Sequence, residues 1–277
     1  MFLPKVSKAF LAACILSASF LFASGAQAQK LPLEGYQLDV GLSPAPPFVI
    51  IEGEFQNVSG IDVDIIRELQ RRTGFEIKRN RFHIMGFGDL LDLAEKGYMD
   101  ISAAAISISD ARAKIFTQSP TTYRSEQVLV VPSNSNIDSP QDLIGKTLAA
   151  EDGTEATDLV APELAKQINI LHERTLFMSF YSVIRGKSDA LITEAPMAVG
   201  FMDSWGKGKL KVAYHVAHSE NDFGIMFKKD TPASKVLYKT FKEMQADGTI
   251  QKIIHKYLPD YKMPEDLKPQ NIKLAAD

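Results

Sequence analysis

The sequence predicts an α/β protein folded as two lobes, and three observations carry that expectation. Strand and helix patterns alternate from Tyr36 to Ala104. The stretch Pro132-Ser133-Asn134-Ser135-Asn136 then interrupts them as a linker, and a second alternation begins at Ser139. The 277 residues, 45% of them hydrophobic, suffice for one large domain, or for two of about 100–150 residues.

Each element has a local reason. Tyr36–Gly41 alternates as a short strand, and Ser43-Pro44-Ala45-Pro46-Pro47-Phe48 is a stiff loop that its prolines keep out of a helix. Ile61, Ile65, Ile66 and Leu69 share one helical stripe. Asp62 and Asp64 sit in that helix's first turn, Arg71 and Arg72 in its last, and Gly74 stops it. Phe75–Lys78 reads as a strand, Leu90, Leu91 and Ala94 mark a helix ended by Gly97, and Met99–Ala104 is a buried strand. Gln127–Val131 is an apolar, β-branched run. After the linker, Ser139-Pro140 opens a short helix that Gly145 ends. Thr147–Ala150 is expected as a strand, Thr154–Gln167 as a helix, Asp189–Thr193 as a strand and Ala195–Asp203 as a helix. Leu210–Tyr214 and Phe223–Phe227 are further strands, and Pro232–Tyr257 is two amphipathic helices broken at Asp247-Gly248.

The N-terminus reads as an address. Lys5 and Lys8 precede an apolar stretch from Ala9 to Phe22, followed by Ala26-Gln27-Ala28, the pattern of a secretory signal peptide spanning residues 1–28. The apolar run is short for a membrane span of about 20 residues. Leu11-Ala12-Ala13-Cys14 resembles a lipoprotein box, but most of the hydrophobic sequence follows the cysteine instead of preceding it. Cleavage removes Lys5, Lys8 and no acid, so the formal net charge moves from −3 to −5 and the one cysteine is lost. The expected location is the periplasm.

Composition and motifs exclude several classes. With 31 Lys and Arg against 34 Asp and Glu, the chain has no electrostatic footprint for nucleic acid. One cysteine makes neither an internal disulfide nor a zinc site. His215 and His218 are three apart but lie in strand-and-loop sequence without a neighbouring carboxylate, so no metal is expected. There is no G-x-S-x-G elbow and no Walker loop, and Gly86-Phe87-Gly88 is a lone G-x-G without the third glycine of a dinucleotide fingerprint. An exported two-lobed α/β protein without nucleophile, metal or cofactor is most naturally a ligand clamp.

The chain resembles the amino-acid-binding, family 3 group of periplasmic solute-binding proteins, the soluble receptors of ABC importers. The landmarks stand in order over about residues 36 to 258: Val40-Gly41 with Pro46-Pro47-Phe48, Gly60-Ile61-Asp62-Val63-Asp64, Phe87, and Asp100-Ile101-Ser102. Then come Ile106-Ser107-Ile108-Ser109-Asp110-Ala111-Arg112, Leu143-Ile144-Gly145-Lys146, Gly153-Thr154, Asp189-Ala190-Leu191-Ile192 with Glu194, Phe223-Gly224-Ile225 and Ala246-Asp247-Gly248-Thr249. The resemblance implies the two-lobed type 2 periplasmic-binding-protein fold, with two hinge-crossing strands and a ligand cleft between the lobes. Lobe 1 would be residues 36–130 and 224–277, lobe 2 residues 131–223, and Gln127–Val131 and Phe223–Phe227 the crossing strands. The implied partners are a small amino acid or derivative and the permease of an inner-membrane ABC transporter. The receptor would act as a monomer, without cofactor, metal or nucleic acid.

The resemblance also implies a site. Arg112 holds the place of an arginine that forks onto the ligand's α-carboxylate, which suits a planar guanidinium. Ser107 supplies the partner hydroxyl, although by its position it reads equally as a helix cap. Gly153-Thr154 opens a helix whose N–H groups would meet the other carboxylate oxygen. Glu194 stands one residue past a buried strand, where relatives have the acid that receives the ammonium. Phe87 takes the place of a ring that stacks on the ligand side chain, and reads equally as core.

Four departures mark this chain. Ala45 replaces an aromatic lid residue, Ser43 a frequent acid, Ala104 and Ala105 small residues that are often serine or glycine, and Glu155 a threonine or serine. Backbone groups at Ala104 and Ala105 could still serve the ligand, and Ser43 and Ala105 remain candidate ligand-binding residues. The expected ligand is a zwitterion. Two other functions fit the same scaffold: a periplasmic cyclohexadienyl dehydratase, with Glu155 or Glu194 as general acid, or a sensory or accessory ligand-binding protein.

Overall fold

The computed structural model describes residues 30–53, 57–154 and 156–274. The expected signal peptide, Cys14 and Glu155 lie outside the described residues.

The chain opens with β1 (Gln37–Leu38) and β2 (Val40–Leu42), then a ribbon of β3 (Ile50–Ile51) and β4 (Val58–Ser59). Helix α1 (Ile61–Thr73), β5 (Glu76–Ile77), β6 (His83–Ile84), α2 (Phe87–Glu95) and β7 (Ile101–Ser107) follow. A single helical turn, α3 (Asp110–Ala113), leads to β8 (Phe116–Gln118) and β9 (Tyr123–Ser125). The second lobe comprises β10 (Gln127–Pro132), β11 (Thr147–Glu151), α4 (Pro162–Ala165), β12 (Asn169–Glu173), α5 (Leu176–Ile184), β13 (Ala190–Glu194), α6 (Ala195–Ser204) and β14 (Leu210–His215). The chain returns through β15 (Asn221–Lys228) to α7 (Pro232–Ala246) and α8 (Thr249–Tyr257).

Two sheets organise these elements. The first has the order β6-β2-β7-β15-β8, with β9 also on β15, and the second has the order β12-β11-β13-β10-β14. Strand β7 is covered on both faces, so its Ile101–Ile106 stretch is buried throughout, as in a parallel strand between helices. Helix α1 buries Ile61, Val63, Ile65, Ile66 and Leu69 against it, and α7 and α8 pack on α1. The second sheet has its own core of Leu129, Val131, Leu148, Ala190 and Ile192.

Several expectations shift. Tyr36–Gly41 is not one strand: it splits at Asp39, β1 pairing with β5 and β2 joining the first sheet. Asp39 sits at the split because its carboxylate takes Lys78 at 2.6 Å and His83 at 3.1 Å. The sheet crossings come earlier than the boundaries at 130/131 and 223/224. Ser125 still pairs with Asn221 in the first sheet, whereas Gln127 is already registered with Glu194 in the second. The outward crossing is therefore Glu126, and the return runs from Val216 to Glu220. The expected helix Thr154–Gln167 is broken into a 3₁₀ turn, Ala156–Leu159, and the one-turn α4. Pro162 has no N–H to donate and holds Ala161 in an extended conformation, ψ 133°, so the two pieces cannot join. The elements β12 and α5 fill sequence that periodicity left unassigned.

In the first lobe β2 and β7 run parallel, and so do β11 and β13 in the second. Ser43, just past β2, and the strand ends Ser107, Glu151 and Glu194 border one space between the lobes, where open α/β sheets hold ligands.

Candidate ligand-binding site

That space is a small cavity of about 50 Å³, partly open to solvent. Ser43, Phe87, Ala105, Ser107 and Arg112 line it from the first lobe, and Thr154 and Glu194 from the second. Seven of the eight residues singled out from sequence thus come together, and the eighth is Glu155.

Arg112 is 7% exposed although it is an arginine on a one-turn helix. Its Nη1 donates to the Ser107 carbonyl at 2.9 Å, and its Cζ lies 5.9 Å from the centre of the Phe87 ring. The ring and the carbonyl fix the plane of the guanidinium, which prepares it for a bidentate anion. Ser109, not Ser107, caps the turn, its Oγ accepting from the Arg112 amide at 3.3 Å. The Ser107 hydroxyl is committed elsewhere: it accepts from Asn221 Nδ2 at 2.6 Å. Phe87 is both core and wall, because α2 begins with it at the cleft edge.

Glu194 ends β13 and precedes α6, yet it makes no helix-capping bond. It is 7% exposed, and its Oε1 accepts from Gln127 Nε2 at 2.6 Å and from Asn221 Nδ2 at 3.2 Å. Its Oε2 is buried without a hydrogen-bond partner. Burial pushes this carboxyl up to about 7, with Asn221 and Ser125 pulling it back. Ser125 acts there through proximity, since its hydroxyl bonds to the Glu126 carbonyl. An orphaned, desolvated carboxylate oxygen is the acceptor that an ammonium group would satisfy.

Thr154 departs from the sequence expectation. No continuous helix starts at Gly153-Thr154, and the Thr154 amide turns back to the Glu151 carbonyl at 3.4 Å, its hydroxyl to the same oxygen at 2.8 Å. What Thr154 offers the cavity is its side chain and a tight turn.

Four residues were missed from sequence. Gln127 and Asn221 sit at the two crossings and hold Glu194 between them. Asp62, read as a dipole-complementing acid, is buried and accepts from the Ala105 amide at 2.8 Å. Glu151 ends β11, lines the cavity and accepts from the Leu176 amide at 2.9 Å. The signal for Glu151 was present: it closes its strand as Glu194 closes the neighbouring one.

The family described as bacterial extracellular solute-binding proteins, family 3, matches residues 38–260. The chain belongs to that family. Within it, the arginine-binding extracellular protein ArtP of Bacillus subtilis is 26% identical over 76% of this chain and 81% of its own length. The amino-acid-binding protein AabA of Dichelobacter nodosus is 22% identical over 73% of this chain and 80% of its own length. Among solved structures, ArgBP from T. maritima superposes with a TM-score of 0.72 at 27% identity, over 81% of this chain and 96% of its own. The arginine-, lysine-, histidine-binding protein ArtJ of Geobacillus stearothermophilus superposes with a TM-score of 0.73 at 20% identity, over 83% and 97%. The family 3 fold, a two-lobed type 2 periplasmic binding protein, is the fold of this chain. For a member of a solute-binding family, a cation on one wall and an orphaned acceptor on the other can grip the two ends of a zwitterion.

Proposed function

We propose that the chain is a soluble periplasmic receptor that binds an α-amino acid, or a zwitterion derived from one, and delivers it to an ABC importer. The observation that carries this reading is the pairing of Arg112 and Glu194 in the wall of a single cavity. Arg112 takes the α-carboxylate, while Ala105 and Ser43, whose amides are already bonded to Asp62 and Ala103, and Thr154, whose hydroxyl is already bonded to Glu151, shape the wall around it. Glu194 takes the ammonium through its unsatisfied Oε2, and Phe87 covers the stem of the side chain. The lobes would be residues 31–125 with 221–274, and residues 127–215, turning about Glu126 and the 216–220 segment. The reading includes residues 1–28 as the cleaved export signal, an inner-membrane permease as partner, a monomeric state and no catalytic step.

The relatives' names support an amino-acid ligand, and they differ in which one: arginine for ArtP, glutamine and L-cystine for two others from Bacillus subtilis. The test is a thermal-shift screen of the mature protein against amino acids, opines, amines and small organic acids, followed by calorimetry on each hit. A ligand at a hundredfold its dissociation constant adds about 2.7 kcal/mol of stability. At least one zwitterion is expected to shift the transition, and Arg112→Ala to abolish that shift while leaving the fold intact. A ligand bound equally well by wild type and Arg112→Ala would overturn the carboxylate clamp. Incubation with prephenate is expected to release no phenylpyruvate, whereas a dehydratase would do so.

A further inference from the structure

We propose that Glu151 reads the side chain of the ligand and selects an α-amino acid carrying a side-chain cation. The inference rests on the zwitterion reading above and extends it to the end of the ligand that Arg112 and Glu194 do not hold.

Strands β11 and β13 are adjacent and parallel, with Leu148 beside Ala190 and Ala149 beside Leu191. Both end in a glutamate, so the second lobe presents two carboxylates from one sheet edge to one cavity. Glu151 is 9% exposed. Its Oε1 accepts from the Leu176 amide at the start of α5, and its other oxygen takes no hydrogen bond among the described residues. Capping α5 needs only one neutral acceptor, which a glutamine supplies without the desolvation cost of an ion. The second oxygen and the charge are therefore surplus to the fold.

Charge in the cavity points the same way. Arg112 is the one basic residue among the described residues that line it, against Glu151 and Glu194. A zwitterion engages Arg112 and Glu194 and leaves Glu151 without a partner, held protonated by its burial near neutral pH. The cavity wall also includes the apolar Ala45, Ala156, Leu176 and Ile192. Burial pushes Glu151 up to about 8, opposed by the Leu176 amide, with Asp152 adding repulsion. Among the described residues no cation opposes that shift, so a ligand cation is the group that would hold this carboxylate ionised.

The test compares L-arginine with L-citrulline, which has nearly the same shape without the charge, and L-lysine with L-glutamine, by calorimetry on the mature protein. Wild type should prefer each cationic ligand by about 30-fold or more, the scale of leaving one buried charge unpaired. Glu151→Gln keeps an acceptor for Leu176 and should reduce the preference to within about threefold. In wild type, arginine should also release more protons than citrulline on binding near neutral pH, read by repeating the titration in buffers of different ionisation enthalpy; that readout needs no variant. Equal affinity for arginine and citrulline in wild type, or a preference unchanged in Glu151→Gln, overturns the proposal. If neutral amino acids bind in an Arg112-dependent way and cationic ones do not, the receptor reading stands and this one falls. If no amino acid binds at all, both fall.

Discussion

The carboxylate of Asp62, in the first turn of α1, accepts a 2.8 Å hydrogen bond from the amide of Ala105, in the cavity wall. Ala105 has φ +51°, a left-handed conformation that costs an alanine about 1 kcal/mol or more. Asp62 is 1% exposed, and its other oxygen is buried without a partner. The bond holds the strained turn where Ala104 and Ala105 face the cavity, so it links helix packing to the shape of the site. Asp62→Ala should lower unfolding free energy by about 1–3 kcal/mol and also weaken ligand binding. Denaturant titration and calorimetry check both. Asp62→Asn retains an acceptor and should cost less on each measure.

Gly86, the N-cap of α2, has φ −66°, so a side chain there is sterically allowed within its own lobe. Across the cleft it is not: an added Cβ would lie 2.9 Å from the Arg174 carbonyl oxygen. Likewise a Cβ on Gly153 would lie 3.0 Å from Gly88 Cα. The lone G-x-G of the sequence is thus a point of close approach between lobes. Gly86→Val should leave thermal stability without ligand within about 1 kcal/mol and reduce affinity at least tenfold. Small-angle scattering should show a ligand-induced decrease in the radius of gyration for wild type and a smaller one for Gly86→Val.

How far the sequence carried depended on whether the determinant was local. The bounds of α1, α7 and α8 follow from stripes, caps and glycine stops within a few residues. Arg112 and Glu194 were legible because each sits at a fixed place beside a strand end. Helix α5, Leu-Phe-Met-Ser-Phe-Tyr-Ser-Val-Ile, exposes Phe177, Met178 and Tyr181 opposite its buried Leu176, Phe180 and Val183, so large apolar residues stand on both faces and do not announce which one is core. Gln127 and Asn221 owe their roles to a strand pairing and a crossing that bring residues 27 and 67 apart onto Glu194. Pairings of that kind leave no trace in local pattern. Glu151 was legible by the strand-end logic used for Glu194, but the strand was ended one residue early, at Ala150.

Glu194→Gln keeps one acceptor for Gln127 and Asn221 while removing the charge. It should weaken a zwitterionic ligand by about 30-fold or more, and at the same time raise the stability of the ligand-free protein at pH 8, because a desolvated ion is replaced by a neutral amide. Opposite signs for binding and stability are the mark of a group kept for its ligand. A Glu194→Gln variant that lost both would instead indicate a structural acid, and calorimetry beside thermal unfolding distinguishes the two.

Burial raises three carboxyls well above their ordinary values: Asp62 and Glu194 to about 7, and Glu151 to about 8. The opposing hydrogen bonds come from Ala105 to Asp62, from Asn221 to Glu194, and from Leu176 to Glu151, with the nearby Ser125 hydroxyl also lowering Glu194. Each folded value lies above the unfolded one, so the folded state holds protons that the unfolded chain has released. Their contribution to stability is complete below about pH 4, declines as pH rises, and is gone above about pH 8. Within that window each group makes stability fall by up to about 1.4 kcal/mol per pH unit. The ligand-free protein should therefore lose unfolding free energy between pH 5.5 and pH 8.5, and Glu151→Gln and Glu194→Gln should each flatten that slope. Groups common to wild type and variants cancel in the difference. A saturating cationic amino acid should also flatten the slope, because it binds the ionised carboxylates. Denaturant midpoints measured across this range in wild type and both variants are the check; parallel curves in all three would mean that neither glutamate is held protonated by burial.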